Sequence, residues 1–426
     1  MLDIKYIREN PEEVIARLLV KGKDARADIE AILALDGERR TLITETETIK
    51  AEQNKMNKLV PQYKKEGKDV APIFAEMKAM SNKTKEIDEK LKEVEAKQTD
   101  IMLGLPNLPD PDLLPGGKEN NQPLRYWGEP RAFDFEPKHH VDLCTDLGLI
   151  DYDRGTKLAG SGFWIYRGMG ARLEWALLNY FIDTHLADGY ELILPPHMLE
   201  YECGLTAGQF PKFADEVYKI ENPTDNRMHY MLPTAEAALA SLYRNEILTE
   251  ADLPKKLVSY TPCFRREAGS YRSDERGMVR GHQFNKVEMF QFTLPEQSDA
   301  AFDELVTKAE ALVAGLGFHF RTVKLAAEDC SASMARTYDI EIQIPSMNGY
   351  KEVSSVSNAR DYQARRGMMR VQRASGKTEY LHTLNGSGLA TSRILPALVE
   401  QNQNADGSIN VPDVLKKYLG VDVIRK

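Results

Sequence analysis

Cationic and anionic side chains are concentrated between Phe264 and Phe290, in the segment FRREAGSYRSDERGMVRGHQFNKVEMF. If FRRE ends one strand and RGHQFNKVE forms the next, alternation places Arg265 and Glu267 on one face of the first strand. The loop from Ala268 to Val279 would join the two strands. The same alternation groups five side chains on one face of the second strand: Arg280, His282, Phe284, Lys286 and Glu288.

This combination of side chains predicts an anion-binding site for a flat, charged ligand. The planar guanidinium group of an arginine binds phosphate or carboxylate oxygens in a bidentate manner. Phe284 could stack on a base, and Glu288 suits an ammonium group. The alternative interpretation is a solvated strand pair with cross-strand salt bridges. That alternative explains one Arg–Glu pair well, but it explains less well a whole face of such residues beside an aromatic ring.

The composition of the chain limits the classes of protein to consider. With 426 residues, 42% of them hydrophobic and 28% charged, it is typical of a soluble globular protein with two or three domains. It contains no run of about 18 apolar residues and no signal peptide, so we expect neither a membrane span nor secretion. The net charge of −9 does not exclude a nucleic-acid partner, because binding depends on where positive charge is clustered.

The cysteines and the nucleotide-binding motifs narrow the prediction further. The four cysteines are scattered and include no CxxC pair, which is typical of reduced thiols in the cytoplasm. We therefore expect no zinc site and a cytoplasmic location. Neither GxxxxGK[ST] nor GxGxxG occurs, so the sequence predicts neither a P-loop nor a Rossmann nucleotide site.

Apolar residues recur every seventh position in the first quarter of the chain. One series is Leu35, Leu42, Ile49 and Met56, and a second series is Ile73, Met80, Ile87, Val94 and Ile101. Pro61 and Pro72 bracket a Gly-containing interruption between the two series. This pattern predicts an antiparallel two-helix coiled-coil arm within residues 1–103. Two packed helices of a larger bundle are the structural alternative.

The rest of the chain has a different texture. Prolines and a Gly-Gly pair predict a linker at 104–125. Beyond it, Leu173–His185 has the pattern of an amphipathic helix, and runs such as KLVSYTPCF, YDIEIQIP and YKEVSSVSN are typical of strands. Short, turn-rich intervals between the strands favour an antiparallel sheet flanked by helices. We therefore predict an α+β fold with a catalytic domain at 126–426.

The charged segment resembles motif 2 of class II aminoacyl-tRNA synthetases, in the version FRREAGS…RG…R-x-HQFNKVE that is similar to seryl-tRNA synthetases. The similarity covers nearly the whole chain. The opening MLDIKYIRENPEEV and the predicted hairpin are similar to the tRNA-binding arm of that family, and GSGFWIYRGMGARLEWAL with GYELILPP is similar to its motif 1 region. LPTAE, YKEVSSVSNARDYQARR and HTLNGSGLATSRILPALVEQNQ resemble its remaining signatures. Six such matches in order are far more specific than one.

The resemblance implies an activity, a fold and partners. The family has a class II catalytic domain behind a helical arm. Its members convert L-serine and ATP to seryl-adenylate and pyrophosphate, and then transfer the serine to the 3′ end of tRNA-Ser, and of tRNA-Sec where this is present. ATP and Mg²⁺ are the implied substrate and cofactor. The resemblance also implies a cytoplasmic homodimer in which the arm of one subunit presents tRNA to the active site of the other.

The resemblance further implies roles for individual residues. The implied catalytic residues are Arg265, Glu288 and Arg393. The implied serine-binding residues are Thr234, Ala235, Glu236, Arg265, Glu288, Asn385 and Ser387. The implied ATP-binding residues are Arg265, Arg266, Glu267, Arg280, Phe284, Glu352, Val353, Ser354, Ser355 and Arg393. Among these, Glu352 and Ser355 would coordinate Mg²⁺, whose preferred ligands are oxygens.

Structural alternatives remain for several of these residues. Ser387 could be a turn residue, Glu352 could form a surface pair with Lys351, and Thr234–Glu236 could cap a helix. The sequence also departs from the family pattern at positions beside the implied ligands, which are Arg272, Gly281, Glu328, Ser331 and Gln343. These departures leave every implied ligand in place and change the residues around them.

Two other functions are compatible with parts of the sequence. A paralogue could activate serine for a non-tRNA acceptor or confer inhibitor resistance, but the intact heptads of the arm argue against loss of tRNA binding. A non-catalytic RNA-binding protein would tolerate loss of the implied ligands. Arg265, Glu288, Glu352 and Arg393 are all present, which favours an enzyme.

Overall fold

The computed structural model describes residues 1–267, 277–347 and 349–426. The chain divides into two compact units. The helical unit comprises Leu2–Leu19 and Lys23–Leu105, and the sheet unit comprises Met1, Val20–Gly22 and Pro106–Lys426. The predicted α+β architecture is confirmed, with two long N-terminal helices followed by an antiparallel sheet and its helices. The predicted departure at Arg272 lies outside the described residues.

The helical unit is built on two long helices. Its elements are α1 (Ile4–Glu9), α2 (Pro11–Val20), α3 (Arg26–Lys65) and α4 (Ala71–Gly104). At 1.5 Å per residue, α3 is about 60 Å long. The turn between α3 and α4 is shorter than the Pro61–Pro72 interruption suggests, because α3 accommodates Pro61 near its end and continues to Lys65. Gly67 lies in that turn at a φ of 68°.

The heptad residues form the seam between α3 and α4. Leu42, Ile49, Ile87 and Val94 are buried together. Polar contacts run beside this seam: Arg39 pairs with Glu95 at 2.9 Å, and the Gln53 amide donates to the Met77 carbonyl at 3.5 Å. Between these two contacts the residue number rises along α3 and falls along α4, as expected for antiparallel helices.

The sheet unit contains nine helices and seventeen strands within the described residues. The strands are β1 (Gln122–Trp127), β2 (Ile150–Asp151), β3 (Ile165–Tyr166), β4 (Glu191–Ile193), β5 (Met198–Glu200), β6 (His229–Met231), β7 (Ile247–Thr249), β8 (Lys255–Phe264), β9 (Gln283–Thr293), β10 (Phe320–Lys324), β11 (Arg336–Gln343), β12 (Tyr350–Arg360), β13 (Arg370–Gln372), β14 (Thr378–Tyr380), β15 (His382–Ala390), β16 (Ile409–Asn410) and β17 (Val423–Ile424). The helices are α5 (His140–Asp146), α6 (Tyr152–Ala159), α7 (Met169–Ala187), α8 (Tyr201–Thr206), α9 (Glu236–Leu239), α10 (Ser298–Gly315), α11 (Tyr362–Gly367), α12 (Thr391–Gln401) and α13 (Asp413–Leu419).

Eight strands form the main sheet in the order β1-β10-β11-β12-β15-β9-β8-β4. All neighbours are antiparallel except β4 and β8. Helices α7, α10 and α12 pack on one face of this sheet. The odd-numbered residues Val287 and Met289 of β9 enter the core beneath those helices, while even-numbered Phe284 packs on the opposite face. The predicted alternation along β9 is therefore confirmed.

The strand itself begins later than the sequence suggests. β9 starts at Gln283, so Arg280 and His282 precede it and are not part of the regular strand. Gly281 lies against the ring of Trp164, where a Cβ atom would come within 2.2 Å of the ring. His282 instead bonds to the Arg265 backbone, because its Nδ1 lies 3.0 Å from that carbonyl oxygen.

The segment that joins the two parts of the chain is bound to the sheet unit. The Asn107 amide donates to the Ser333 and Ala359 carbonyls at 3.0 and 2.8 Å. The Asp110 carboxylate pairs with Arg336 and Arg360 at 2.9 and 2.8 Å. Both side chains are buried, so residues 106–110 form part of the packed structure. In the parts of the chain that the structure describes, we find no helix whose length and hydropathy suit a membrane crossing.

Candidate active site

A cavity of about 290 Å³ opens beside Phe284 and Lys286 of β9 in the sheet unit. Its lining comes from the β8–β9 pair, from β12, and from the end of β15 with the first turn of α12. The residues that line it are Arg265, Glu267, Val279, Arg280, Gly281, Phe284, Lys286, Glu352, Val353, Ser387, Ala390, Ser392 and Arg393. Seven of the implied ATP-binding residues and one further implied serine-binding residue therefore meet around one space.

Arg265 follows β8 and is held beside the aromatic ring of the cavity. Its Nε atom donates to the Pro233 carbonyl at 3.3 Å, and its guanidinium carbon lies 5.1 Å from the centre of the Phe284 ring. The terminal nitrogens of Arg265 thus remain next to the cavity, where an anionic ligand could accept from them. Glu267 adopts a left-handed backbone with φ of 49°, and its carboxylate accepts a hydrogen bond from Arg280.

The Arg266 side chain points away from the cavity. Its guanidinium group donates to the Asp215 carbonyl at 2.6 Å, and Arg266 is not among the residues that line the cavity. Neighbouring side chains on an extended chain point to opposite sides, so only one of two adjacent arginines reaches the space.

A polar cluster continues from the cavity into the protein. Glu288 is 1% exposed, and its Oε1 atom accepts from the Asn385 amide at 2.9 Å. Lys286 is 6% exposed and donates to the Thr234 hydroxyl at 2.6 Å, while its Nζ atom lies 2.5 Å from Glu288 Oε2. Glu288 is therefore ion-paired with Lys286, whereas Asn385 Oδ1 is a buried acceptor that lacks a hydrogen bond from any described residue.

Glu236 adds a second carboxylate to this cluster. Its Oε1 atom accepts from the Gln363 amide at 2.8 Å, and Gln363 is fixed in turn by the Thr383 hydroxyl at 2.6 Å. Burial, together with the nearby charge of Glu288, raises the pKa of Glu236 to about 7. Thr234 also accepts from the Glu236 backbone N–H at 3.3 Å, so the helix-capping alternative is compatible with a role in binding.

A second cavity of about 400 Å³ shares Arg280, Glu352 and Arg393 with the first. Oxygen-bearing side chains from β11 and β12 line it, among them Asp339, Glu341 and Ser355. Arg393 donates to the Glu352 carbonyl at 2.6 Å and to its carboxylate at 3.2 Å. Burial opposes ionisation of Glu352, but Arg393 and Arg265 hold its pKa below the usual value.

The residues around Glu352 suit a hard divalent cation. The Ser355 hydroxyl donates to Asp339 Oδ1 at 2.5 Å. Burial and the charge of Glu352 raise the pKa of Asp339 well above its usual value. Carboxylates that face one another in this way are stabilised by a cation, and a donor set made only of oxygen atoms favours Mg²⁺. Glu352 and Ser355, the implied metal ligands, fit such an ion, and Asp339 joins them.

The remaining implied residues lie in supporting positions. Ala235 and Val353 are buried, although Val353 also contributes to the cavity lining. The Ser354 hydroxyl donates to the Ser387 carbonyl at 2.6 Å, which joins β12 to β15. Among the departures from the family pattern, Gly281 lines the first cavity and Ser331 lines the second. Gln343 acts through its backbone, whose carbonyl accepts from Gln401 at 2.6 Å.

Three residues of the site were not assigned a role from the sequence. Lys286 lies on the predicted face of β9, so alternation along the strand could have identified it. Gln363 contacts Glu236 across 127 positions of sequence, and Asp339 contacts Ser355 across a strand pair. No local pattern marks these two contacts, since they depend on how the strands pair.

Comparisons with known proteins give the class and then the family. The family model described as "tRNA synthetase class II core domain (G, H, P, S and T)" matches residues 218–402, and this range includes every residue that lines the first cavity. The fold and site are therefore those of a class II aminoacyl-tRNA synthetase. The family model described as "Seryl-tRNA synthetase N-terminal domain" matches residues 1–109.

Whole-chain relatives agree with these matches. The chain is 58% identical over 425 residues to serine–tRNA ligase 2 of Clostridium acetobutylicum, covering 99% of this chain and 100% of that protein. It is 44% identical to serine–tRNA ligase of Clostridium tetani, with 100% of both chains covered. The crystal structure of seryl-tRNA synthetase from Pyrococcus horikoshii complexed with ATP superposes with a TM-score of 0.91 at 34% identity, covering 100% of this chain and 99% of that one. The chain belongs to the seryl-tRNA synthetase family.

Proposed function

We propose that this protein activates L-serine with ATP as seryl-adenylate and transfers the serine to the 3′ end of tRNA-Ser. The observation that carries this proposal is the buried polar cluster of Glu236, Glu288 and Asn385, in which Asn385 Oδ1 receives no hydrogen bond from any described residue. Serine supplies two donors for this cluster, its ammonium group and its hydroxyl. A buried polar atom without a partner is costly, so a ligand that donates to Asn385 Oδ1 gains binding energy.

The surrounding charges support the first step. An oxygen of the serine carboxylate attacks the α-phosphorus of ATP, the bond to the β-phosphate oxygen breaks, and pyrophosphate leaves. This step brings two anions together and needs fixed cations and positioning more than a general base. Arg265 would contact the carboxylate and the α-phosphate, while Arg280 and Arg393 would bind the rest of the triphosphate. Phe284 and Arg393 would enclose the adenine.

Glu352 and Ser355, with Asp339 beside them, would hold Mg²⁺. When bound, the ion neutralises phosphate charge and stabilises the leaving pyrophosphate. The arrangement of Arg393 supports this role, because its bonds to the Glu352 carbonyl and carboxylate keep Glu352 at the edge shared by both cavities.

The buried polar cluster also supports selection for serine. A site that hydrogen-bonds a substrate hydroxyl rejects an analogue without it, because the site's polar atoms are then left unpaired. Alanine lacks the hydroxyl and would leave Asn385 Oδ1 without a donor. Amino acids with bulkier side chains would be excluded by the size of the pocket.

The helical unit supports the second step of the proposed reaction, the transfer of serine to tRNA. The outer parts of α3 and α4 carry a concentration of lysines on which RNA phosphates can bind, namely Lys50, Lys55, Lys58, Lys64, Lys65, Lys78, Lys83 and Lys85. Such contacts read the shape of an RNA more than its bases. We therefore propose tRNA-Ser, and tRNA-Sec where this is present, as the macromolecular substrate. A cytoplasmic location is part of the proposal. The four free cysteines support it, and cell fractionation tests it.

We also propose that the protein is a homodimer formed through α7 and the edge strand β4. Trp175 of α7 is 54% exposed, and Leu194, next to the end of β4, is 71% exposed, with Leu186 and Leu192 exposed nearby in sequence. Exposed apolar side chains grouped on adjoining elements are typical of protein interfaces. Sedimentation velocity at low micromolar concentration should give a species of about twice the 48.2 kDa chain mass.

A substitution in this surface tests the homodimer. Leu194→Lys is expected to shift the sedimenting species to the monomer, because a charge in an apolar interface lacks a partner. Leu19→Lys is the matched control, since Leu19 is 61% exposed on α2 in the helical unit. Equal behaviour of the two variants would place the interface elsewhere.

Serine-dependent exchange of pyrophosphate into ATP, followed by charging of tRNA, tests the proposed activity. We expect exchange with serine, at least about 10³-fold lower kcat/KM with alanine, and loss of exchange when EDTA removes Mg²⁺. Absence of serine-dependent exchange would contradict the proposal and favour a non-catalytic RNA-binding protein. Exchange without charging would instead indicate a paralogue that delivers serine to another acceptor.

A further inference from the structure

A lysine occupies the amino-acid pocket together with the two carboxylates. Lys286 is buried between Phe284 and Glu288 on the site face of β9. Its ammonium group lies 2.5 Å from Glu288 Oε2 and also donates to the Thr234 hydroxyl at 2.6 Å. Lys286 therefore balances the charge of Glu288.

The charges of the pocket do not balance in the absence of a ligand. Glu236 and Glu288 are both buried carboxylates, and Lys286 is the buried cation beside Glu288. The groups that act on Glu236 are Glu288, Lys286, Gln363 and Arg265, together with the neutral phenol of Tyr230. Arg265 is directed to the cavity beside Phe284. Among the described residues, one buried ammonium group faces two buried carboxylates and cannot neutralise both, so one carboxyl group tends to retain a proton.

We propose that Lys286 is a positioning residue that pairs with the Glu288 carboxylate in the empty pocket, and that the ammonium group of the entering serine supplies the second positive charge and releases a proton from Glu236. The proton passes to solvent. The bound pocket then contains three carboxylates, those of Glu236, Glu288 and serine itself, opposite the two ammonium groups and the Arg265 guanidinium, which would contact the serine carboxylate. This inference rests on the proposed function, because it takes serine as the ligand. It adds to that function a role for Lys286 and the release of a proton from Glu236 when serine binds.

The direction of the pH dependence follows from burial. In the empty pocket the pKa of Glu236 is raised to about 7, so the carboxyl group is largely protonated below that pH. A bound ammonium group stabilises the carboxylate and lowers its pKa. Serine affinity should therefore increase as the pH rises from 6 to about 7, by up to about tenfold per pH unit, and should be constant at higher pH.

Calorimetry counts the proton directly. Serine binding is measured at pH 6.5 and pH 8.5, each in two buffers that differ in ionisation enthalpy. The full-length wild-type protein should release between about half a proton and one proton at pH 6.5 and almost none at pH 8.5. Glu236→Gln should abolish the release at both values, because the amide cannot titrate.

Lys286→Met isolates the contribution of the lysine. The methionine side chain is similar in length but uncharged, so both carboxylates depend on the ammonium group of the ligand. We expect proton release to persist at pH 8.5, and the KM for serine in the exchange reaction to increase at least about 30-fold at pH 7.5. The KM for ATP should change far less. Lys256→Met is the matched control. Lys256 lies on the neighbouring strand β8, pairs with Glu304 of α10 at 2.7 Å, and is not among the residues that line the cavity.

The outcomes separate this inference from the proposed function. If the wild-type protein supports serine-dependent exchange but releases no proton at pH 6.5, the inference is wrong and the function stands. If Lys286→Met raises the KM for ATP as much as the KM for serine, Lys286 belongs to phosphate binding and the inference is also wrong. Should Lys286→Met lack a cooperative thermal unfolding transition, Glu236→Gln decides alone through its proton count. Absence of serine-dependent exchange in the wild-type protein contradicts the proposed function itself.

Discussion

Replacing Arg265 by alanine is expected to lower kcat/KM for serine-dependent pyrophosphate exchange by at least about 10³-fold. In the proposed reaction Arg265 would contact both anions, since its guanidinium group lies beside Phe284 at the cavity while Nε is fixed by the Pro233 carbonyl. A preorganised cation of this kind stabilises charge that develops in the transition state. Initial rates of exchange at varied serine and ATP concentrations measure the loss.

The adjacent arginine provides the control for this prediction. Arg266 was assigned to ATP from the resemblance, but its guanidinium group donates to the Asp215 carbonyl away from the residues that line the cavity. We therefore expect Arg266→Ala to change exchange by less than about fivefold, in the range of the loss of one exposed hydrogen bond. Comparable losses for the two variants would show that the structural difference between these arginines has no bearing on catalysis.

Shortening the arm is expected to separate the two steps of the reaction. Deletion of residues 28–100 should leave exchange near the wild-type rate and lower kcat/KM for tRNA charging by at least about 100-fold. The reason is that the cavities lie in the sheet unit, whereas many RNA phosphate contacts would be lost with α3 and α4. Parallel assays of exchange and charging on one preparation measure both quantities.

The register of the arm allows a graded version of this experiment. Because Gln53 lies opposite Met77, replacing Glu52–Lys78 by a short turn removes the outer part of both helices and keeps the buried cluster of Leu42, Ile49, Ile87 and Val94. Charging should then fall by less than in the full deletion. A parallel fall in exchange and charging in either variant would contradict the division of roles between the two units.

Features that depend on a local period could be predicted from the sequence. The heptad pattern predicted the buried seam between α3 and α4, and the alternation of side chains predicted which face of β9 carries Phe284. Their ends could not be predicted as well, because α3 tolerates Pro61 in a late turn and β9 starts only after Gly281 has passed the ring of Trp164. These limits depend on contacts with distant residues that no local pattern contains.

The same reasoning applies to the candidate site. Residues that carry a family motif could be named by resemblance, and the structure brings most of the implied ATP-binding residues to one cavity. The contact of Lys286 with Thr234 spans 52 positions, and the contact of Glu236 with Gln363 spans 127. Burial also decides the protonation of Glu236, and a sequence alone does not give the depth at which a carboxyl group lies.

The order of strands in the main sheet has a consequence for protein synthesis. β15 lies between β12 and β9, although it follows both in the chain, and it brings Asn385 and Ser387 next to β9. A ribosome has therefore made more than nine-tenths of the 426 residues before this central strand can be inserted. Pairings between strands far apart in sequence form slowly and leave sheet edges exposed in the meantime. The two serine-binding residues proposed on this strand therefore cannot join the pocket until synthesis of the chain is nearly complete.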